Sequence, residues 1–196
     1  MSEDTGDSTD AKRFTGAYLG IRERSGWEYA TRTNATGVVV VLAVTPDREI
    51  VLVEQYRIPV GRDVIELPAG LVGDEDEPDE PSERAAEREL WEETGYRARR
   101  LVHLSRCPSS AGMSDEMLDF YLAEDAVREG AGGGDASEDI RVHAVPLDEV
   151  DAWLAQAQRG GKAYDPKVYT GLYWLERRAA LSTLLPTPDD APETGP

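Results

Sequence analysis

Apolar positions in the first half of the chain fall into short blocks and alternations bounded by turn residues. Residues 17–23, 27–32, 38–44 and 50–56 therefore read as strands. The block 38–44, Val-Val-Val-Val-Leu-Ala-Val, is nearly all β-branched and has no polar position, the mark of a strand buried on both faces. Thr45-Pro46-Asp47-Arg48 supplies a turn into the next strand. A short extended segment follows at 64–67, and a helix is expected over 81–94. Pro81 suits the first helical turn, where its missing N–H would have had no partner. Ala85 and Ala86 permit close packing, Leu90 anchors the apolar face, and Gly95 accepts the left-handed conformation that ends a helix. Further strands are expected at 97–105, 117–123 and 140–145. Two closing helices are expected at 147–158, stopped by Gly160-Gly161, and at 166–185.

This order predicts an α/β fold, with a mixed sheet carrying helices on its faces and an antiparallel strand region at the N-terminal end. Residues 1–13 read as an acidic disordered tail, 14–36 as the N-terminal strand region, 37–185 as the main domain and 186–196 as a second disordered tail. The stretch Gly130-Ala131-Gly132-Gly133-Gly134 reads as a flexible loop. It is no phosphate-binding loop, since no Gly-Lys-Ser/Thr follows it.

Composition narrows the partners. Within 196 residues, 39 acids face 21 Lys and Arg, a formal charge of −18. Nucleic acid and anionic membranes need a basic surface, so neither is an expected partner. An anionic small molecule would need local arginine or metal to overcome the overall repulsion. Cys107 is the single cysteine, which leaves no intrachain disulfide and fits a reducing cytoplasm. No apolar run approaches the ~20 residues of a membrane helix. His103 and His143 lie in strand-like segments and read as structural.

The candidate chemistry lies in Arg88-Glu89-Leu90-Trp91-Glu92-Glu93-Thr94-Gly95-Tyr96. On a helix turning about 100° per residue, Glu89 and Glu93 lie roughly 40° apart, one turn from each other, with Glu92 on the other side of Glu89. Like charges at this spacing repel, and the negative end of the helix dipole adds to the penalty. A bound cation would offset both, and clustered carboxylates suit the hard ions Mg²⁺, Mn²⁺ or Ca²⁺. Arg88, one turn before Glu92, is placed to orient these acids. Trp91 reads as packing.

With Glu80 eight residues before Arg88 and Gly70 further upstream, this stretch resembles the Nudix box. The fixed positions from Glu80 onward are all matched, with Tyr96 as the closing apolar residue. Nine residues instead of five separate Gly70 from Glu80, which reads as a four-residue acidic insertion within 71–79. The segments Val53-Glu54-Gln55-Tyr56-Arg57 and Glu66-Leu67-Pro68-Ala69-Gly70 are similar to the ADP-ribose pyrophosphatase branch of that family. The resemblance implies a metal-dependent hydrolase with an α/β/α sandwich, splitting ADP-ribose into AMP and ribose 5-phosphate. The alternatives are another nucleoside diphosphate sugar, such as a GDP- or UDP-sugar, and a non-catalytic ADP-ribose sensor.

By the same resemblance, Mg²⁺ or Mn²⁺ would be held by Glu89, Glu93 and the Ala69 carbonyl, with Glu92 assisting, and Arg57 would bind phosphate. Glu66 either pairs with Arg57 or holds substrate. Glu138, ahead of the strand at 140, is the implied catalytic base, with Glu116 second. Trp27 either stacks on the base or belongs to the core, and Arg32 reaches the base edge or a phosphate. The N-terminal strands of related enzymes cross to a partner subunit, so a homodimer is implied.

Overall fold

The computed structural model describes residues 11–73, 77, 79–134 and 139–181, with side chains through Arg177. In chain order the strands begin with β1 (Ala11–Thr15), β2 (Leu19–Arg24), β3 (Trp27–Arg32), β4 (Gly37–Val44), β5 (Glu49–Arg57), β6 (Arg62–Glu66) and β7 (Ala69–Val72). Helix α1 (Ser82–Thr94) is followed by β8 (Tyr96–Arg97), β9 (Arg100–Pro108), β10 (Met117–Glu124), β11 (Val127–Arg128) and β12 (Arg141–Pro146). Helix α2 (Val150–Arg159), β13 (Ala163–Tyr164) and helix α3 (Lys167–Leu181) close the described chain.

The main sheet runs β13-β6-β5-β4-β10-β9, with β12 paired to β5 and β7 paired to β4. Its centre is the parallel pair β4 and β10, in register from Val38 opposite Leu118 to Ala43 opposite Ala123. The all-apolar block in β4 has the predicted consequence. Val38, Val40 and Leu42 enter one core, while Val39, Val41 and Ala43 enter the other. The first core is closed by Leu154 of α2 and Val168 of α3. The second is closed by Ala85, Ala86 and Leu90 of α1. The sheet is thus sandwiched, with the acidic helix on one face.

The turn 45–48 forms as expected: the Arg48 N–H donates to the Thr45 carbonyl at 3.0 Å, and the Glu49 N–H donates to Thr45 Oγ1 at 3.1 Å. Its left-handed residue is Arg48, at φ 61°.

Three expectations need correction. Residues 11–13, expected in the N-terminal tail, belong instead to a strand: Ala11–Thr15 pairs antiparallel with β2 and forms a separate three-stranded sheet with β2 and β3, while residues 1–10 and the expected tail at 186–196 lie outside the described residues. The stretch 130–134 is docked on the end of α1. Gly133 N–H donates to the Glu93 carbonyl at 2.8 Å and Gly134 N–H to the Glu92 carbonyl at 3.0 Å, serving carbonyls that a helix end leaves without partners. Arg128 pins the same loop through the Gly130 and Ala131 carbonyls. Helix α2 begins at Val150, after a turn in which Glu149 N–H reaches the Pro146 carbonyl.

Candidate active site

Helix α1 is set against the sheet by its small residues, and this decides where its acids point. Glu89 and Glu93 turn inward and are buried, while Glu92 stays on the exposed side. Gly70 on β7 is what lets Glu89 lie down: a Cβ there would overlap the Glu89 carboxylate. Glu93 is only 3% exposed, and its Oε2 accepts the Ala69 N–H at 3.0 Å. It therefore holds the strand residue whose carbonyl was the expected companion ligand.

Arg88 ties these groups together. Its Nη1 donates to Glu89 Oε1 at 2.8 Å and to Glu92 Oε2 at 3.1 Å. Nε and Nη2 grip both oxygens of Glu80 at 3.1 Å, and Nη2 also reaches the Leu71 carbonyl at 3.0 Å. A guanidinium and a carboxylate meeting fork to fork form a strong charge-assisted pair. The Arg88 bonds, aided by the Gly73 N–H, hold the Glu80 carboxyl below its ordinary value despite burial, and Glu80 in turn raises the Arg88 guanidinium.

Beside this helix lies a cavity of about 590 Å³. Arg32, Arg57, Arg88 and Lys167 bring cations to its wall, and Glu66, Glu89, Glu92 and Glu116 bring acids. In a chain of −18 this local balance is where an anion can be received. Arg57, at the end of β5, donates from Nε to Glu66 Oε2 at 2.6 Å, so the pairing alternative for Glu66 is the one seen. Arg32, at the end of β3, donates from Nε to Glu116 Oε1 at 2.6 Å. Glu116 is carried there by the loop after β9. That loop is docked on β3 by the Ala30 N–H to the Met113 carbonyl at 2.8 Å and by Thr31 Oγ1 to Asp115 at 2.9 Å. The Arg32–Glu116 pair also borders a second cavity of about 240 Å³, which adds Thr31, Arg106 and Asp115.

Other sequence candidates fall elsewhere. Trp27 is 63% exposed in β3, which rules out the core reading, and it does not line the main cavity. Glu138 lies outside the described residues. Gly95 has φ 71° and caps α1 through its N–H to the Trp91 carbonyl. Trp91 lies under the Arg97 guanidinium, 4.2 Å from the ring centre. His103 bonds Asp119 at 3.0 Å and His143 bonds Glu54 at 2.9 Å, both away from the cavity. Burial pushes the Cys107 thiol up, the direction of a packed thiol rather than a nucleophile.

Two residues have roles that no local sequence pattern signals. The spacing marks Glu80 relative to Arg88, but the grip of Glu80 on Arg88 is visible only in three dimensions. Lys167 opens α3 and reaches the cavity beside its ion-pair partner Asp165. No local pattern signalled it, because only the path of the closing helix brings it there.

A family model described as NUDIX domain matches residues 33–166, more than half of the chain. The chain belongs to the Nudix family. This Nudix chain is 37% identical over 146 residues to an ADP-ribose pyrophosphatase of Bacillus subtilis, covering 74% of itself and 75% of that protein. It is 34% identical over 146 residues to a methanol dehydrogenase activator of Bacillus methanolicus, with the same coverage of each chain. It is 33% identical to a GDP-mannose pyrophosphatase of Citrobacter koseri, over 64% of itself and 68% of that protein. A crystal structure of an ADP compounds hydrolase superposes with a TM-score of 0.66 at 17% identity, covering 90% of this chain and 95% of the other, a likeness of fold.

Nudix hydrolases generally need a divalent metal. Among the described residues no three acidic, His or Cys side chains yet converge as a ligand set. The donor chemistry nonetheless fits a hard cation: Glu89, Glu92 and Ala69 line one wall, and Gly70 keeps clear the space the Glu89 carboxylate uses. Among the described residues, no helix is long and apolar enough to cross a membrane.

Proposed function

We propose that this protein hydrolyses the diphosphate bond of nucleoside diphosphate sugars, with ADP-ribose as the first substrate and AMP and ribose 5-phosphate as products. The carrying observation is the cavity in which Arg32, Arg57 and Lys167 face the acidic end of α1. Water adds to one phosphorus, the bridging P–O bond breaks, and the water proton passes to a carboxylate. Arg57 and Lys167 hold the diphosphate, since a planar fork and a point charge suit its oxygens. Glu89, Glu92, Glu93 and the Ala69 carbonyl would hold Mg²⁺ or Mn²⁺, which when bound neutralises phosphate charge and lowers the pKa of water. Arg88 keeps the acids in place. Glu138 is the proposed base, with Glu116 second because Arg32 already engages it.

A GDP-sugar is the second reading, favoured by the likeness to the GDP-mannose pyrophosphatase. A homodimer is proposed as well, because Phe14, Tyr18, Leu19 and Trp27 leave large apolar side chains exposed around the N-terminal sheet. The test is a panel of ADP-, GDP- and UDP-sugars assayed with Mg²⁺ or Mn²⁺, with and without excess EDTA. ADP-ribose should turn over fastest and EDTA should abolish it. Turnover that survives EDTA, or absent turnover on the whole panel, would remove the proposal. Glu138→Gln and Glu116→Gln, measured side by side, decide the base: the true one loses turnover with little change in apparent affinity.

A further inference from the structure

The two arginines at the cavity are held in the same way. Each donates its Nε, and only its Nε, to one glutamate of another element at 2.6 Å. Among the described residues neither guanidinium has a further hydrogen-bond partner. A guanidinium is planar, so fixing Nε against a carboxylate fixes the plane in which the two Nη groups lie. Glu66 is suited to this by burial and Glu116 by its docked loop. Resting on the reading that the cavity takes a diphosphate, we infer that Glu66 and Glu116 are positioning residues, each locking an arginine fork so that its Nη pair faces the phosphates. In this assignment their part in ADP binding is to aim the arginines, whichever carboxylate accepts the water proton.

Positioning and simple electrostatics change ADP affinity in opposite directions. Removing an anion beside an anion-binding arginine should tighten phosphate binding if the glutamate merely sits nearby. If the glutamate aims the arginine, removal should weaken binding even so.

The probe is ADP, titrated calorimetrically into the full-length protein in EDTA, where no metal-ligand role can contribute. Arg57→Ala should weaken ADP binding clearly. Glu66→Ala should weaken it by about threefold to tenfold, the scale of one hydrogen bond. Glu66→Gln keeps an acceptor oxygen and should bind at least as well as the parent. The double variant Arg57→Ala/Glu66→Ala should be no weaker than Arg57→Ala alone, because the glutamate acts through the arginine. The same series on Arg32 and Glu116 tests the second pair independently, and thermal melts confirm folding. Tighter binding by Glu66→Ala, or additive losses in the double variant, overturns the inference. An unchanged affinity in Arg57→Ala overturns instead the reading of the cavity on which it rests.

Discussion

Gly70 shows how far one missing methyl group reaches. The Glu89 carboxylate lies where a side chain at residue 70 would begin, and Arg88 holds one oxygen of that carboxylate. Gly70→Ala should push the carboxylate aside without breaking the fold, because the group that must move is the end of a flexible side chain. A displacement of about 1 Å at a reacting centre is worth up to on the order of 100-fold in rate. Turnover should therefore fall by one to two powers of ten, close to the loss from Glu89→Gln, while the melting temperature moves by a few degrees at most. Steady-state rates and thermal melts read both quantities. A fully active Gly70→Ala would mean that Glu89 is not needed where the structure puts it. Arg88→Lys is the companion case. Lysine keeps the charge but loses the fork that spans Glu80, Glu89 and Glu92, so it should behave as a damaged variant.

At the scale of elements, the acidic end of α1 is held by an interlock of glycines. A side chain at Gly95 would overlap the Gly130 carbonyl, and one at Gly132 would overlap the Thr94 backbone, so the loop seats only because both are bare. Both also have positive φ, 71° and 67°, which disfavours a side chain by roughly 1–2 kcal/mol before any overlap. Gly132→Ala should destabilise the protein by more than that and raise the metal concentration needed for half-maximal rate, since Glu92 and Glu93 lose their backbone anchors. Denaturant unfolding and a Mg²⁺ titration of activity check the two effects. An unchanged Mg²⁺ requirement would show that the loop does not hold the acids. The sequence could not show this interlock, because a glycine run reads the same whether it floats or docks. What was legible was what periodicity and spacing encode: the doubly buried β4, the acid face of α1, and Gly95 as its stop. Two-residue strands such as β8 and β13 carry no period to read. Lys167 and the Arg32–Glu116 pair arise from contacts between segments far apart in the chain, which a local pattern does not contain.

Across the whole molecule, acid resistance is set by two opposing effects of carboxylates. Most of the 39 acids repel one another at neutral pH, so their first protonation should relieve strain in a chain of −18. Glu54 acts the other way. It is 1% exposed on β5, where the strand pairs with β12, and is bound by Arg141 at 2.8 Å, His143 at 2.9 Å and Lys162 at 2.6 Å. Burial pushes its carboxyl up, but the bonds from Lys162 and His143 outweigh this and hold it below its ordinary value of 4.5. Glu80 is depressed as well, by Arg88. A group whose folded pKa is depressed stabilises the fold above its unfolded pKa, and that contribution is lost as pH falls through the folded value. Stability should therefore hold or rise slightly as pH drops from 7 to about 5, then fall steadily below 4.5. Salt separates the two effects. At about 1 M the exposed repulsion is screened within roughly 3 Å, whereas the buried Glu54 bonds are hardly affected. Glu54→Gln should start on the order of 1–3 kcal/mol less stable, because its partly exposed cationic partners can return to water. It should then lose less on acidification than the parent in high salt. Unfolding free energies of both proteins across this pH range, at low and high salt, test the argument. Equal acid slopes for the two would show that the Glu54 cluster is not what limits the molecule at low pH.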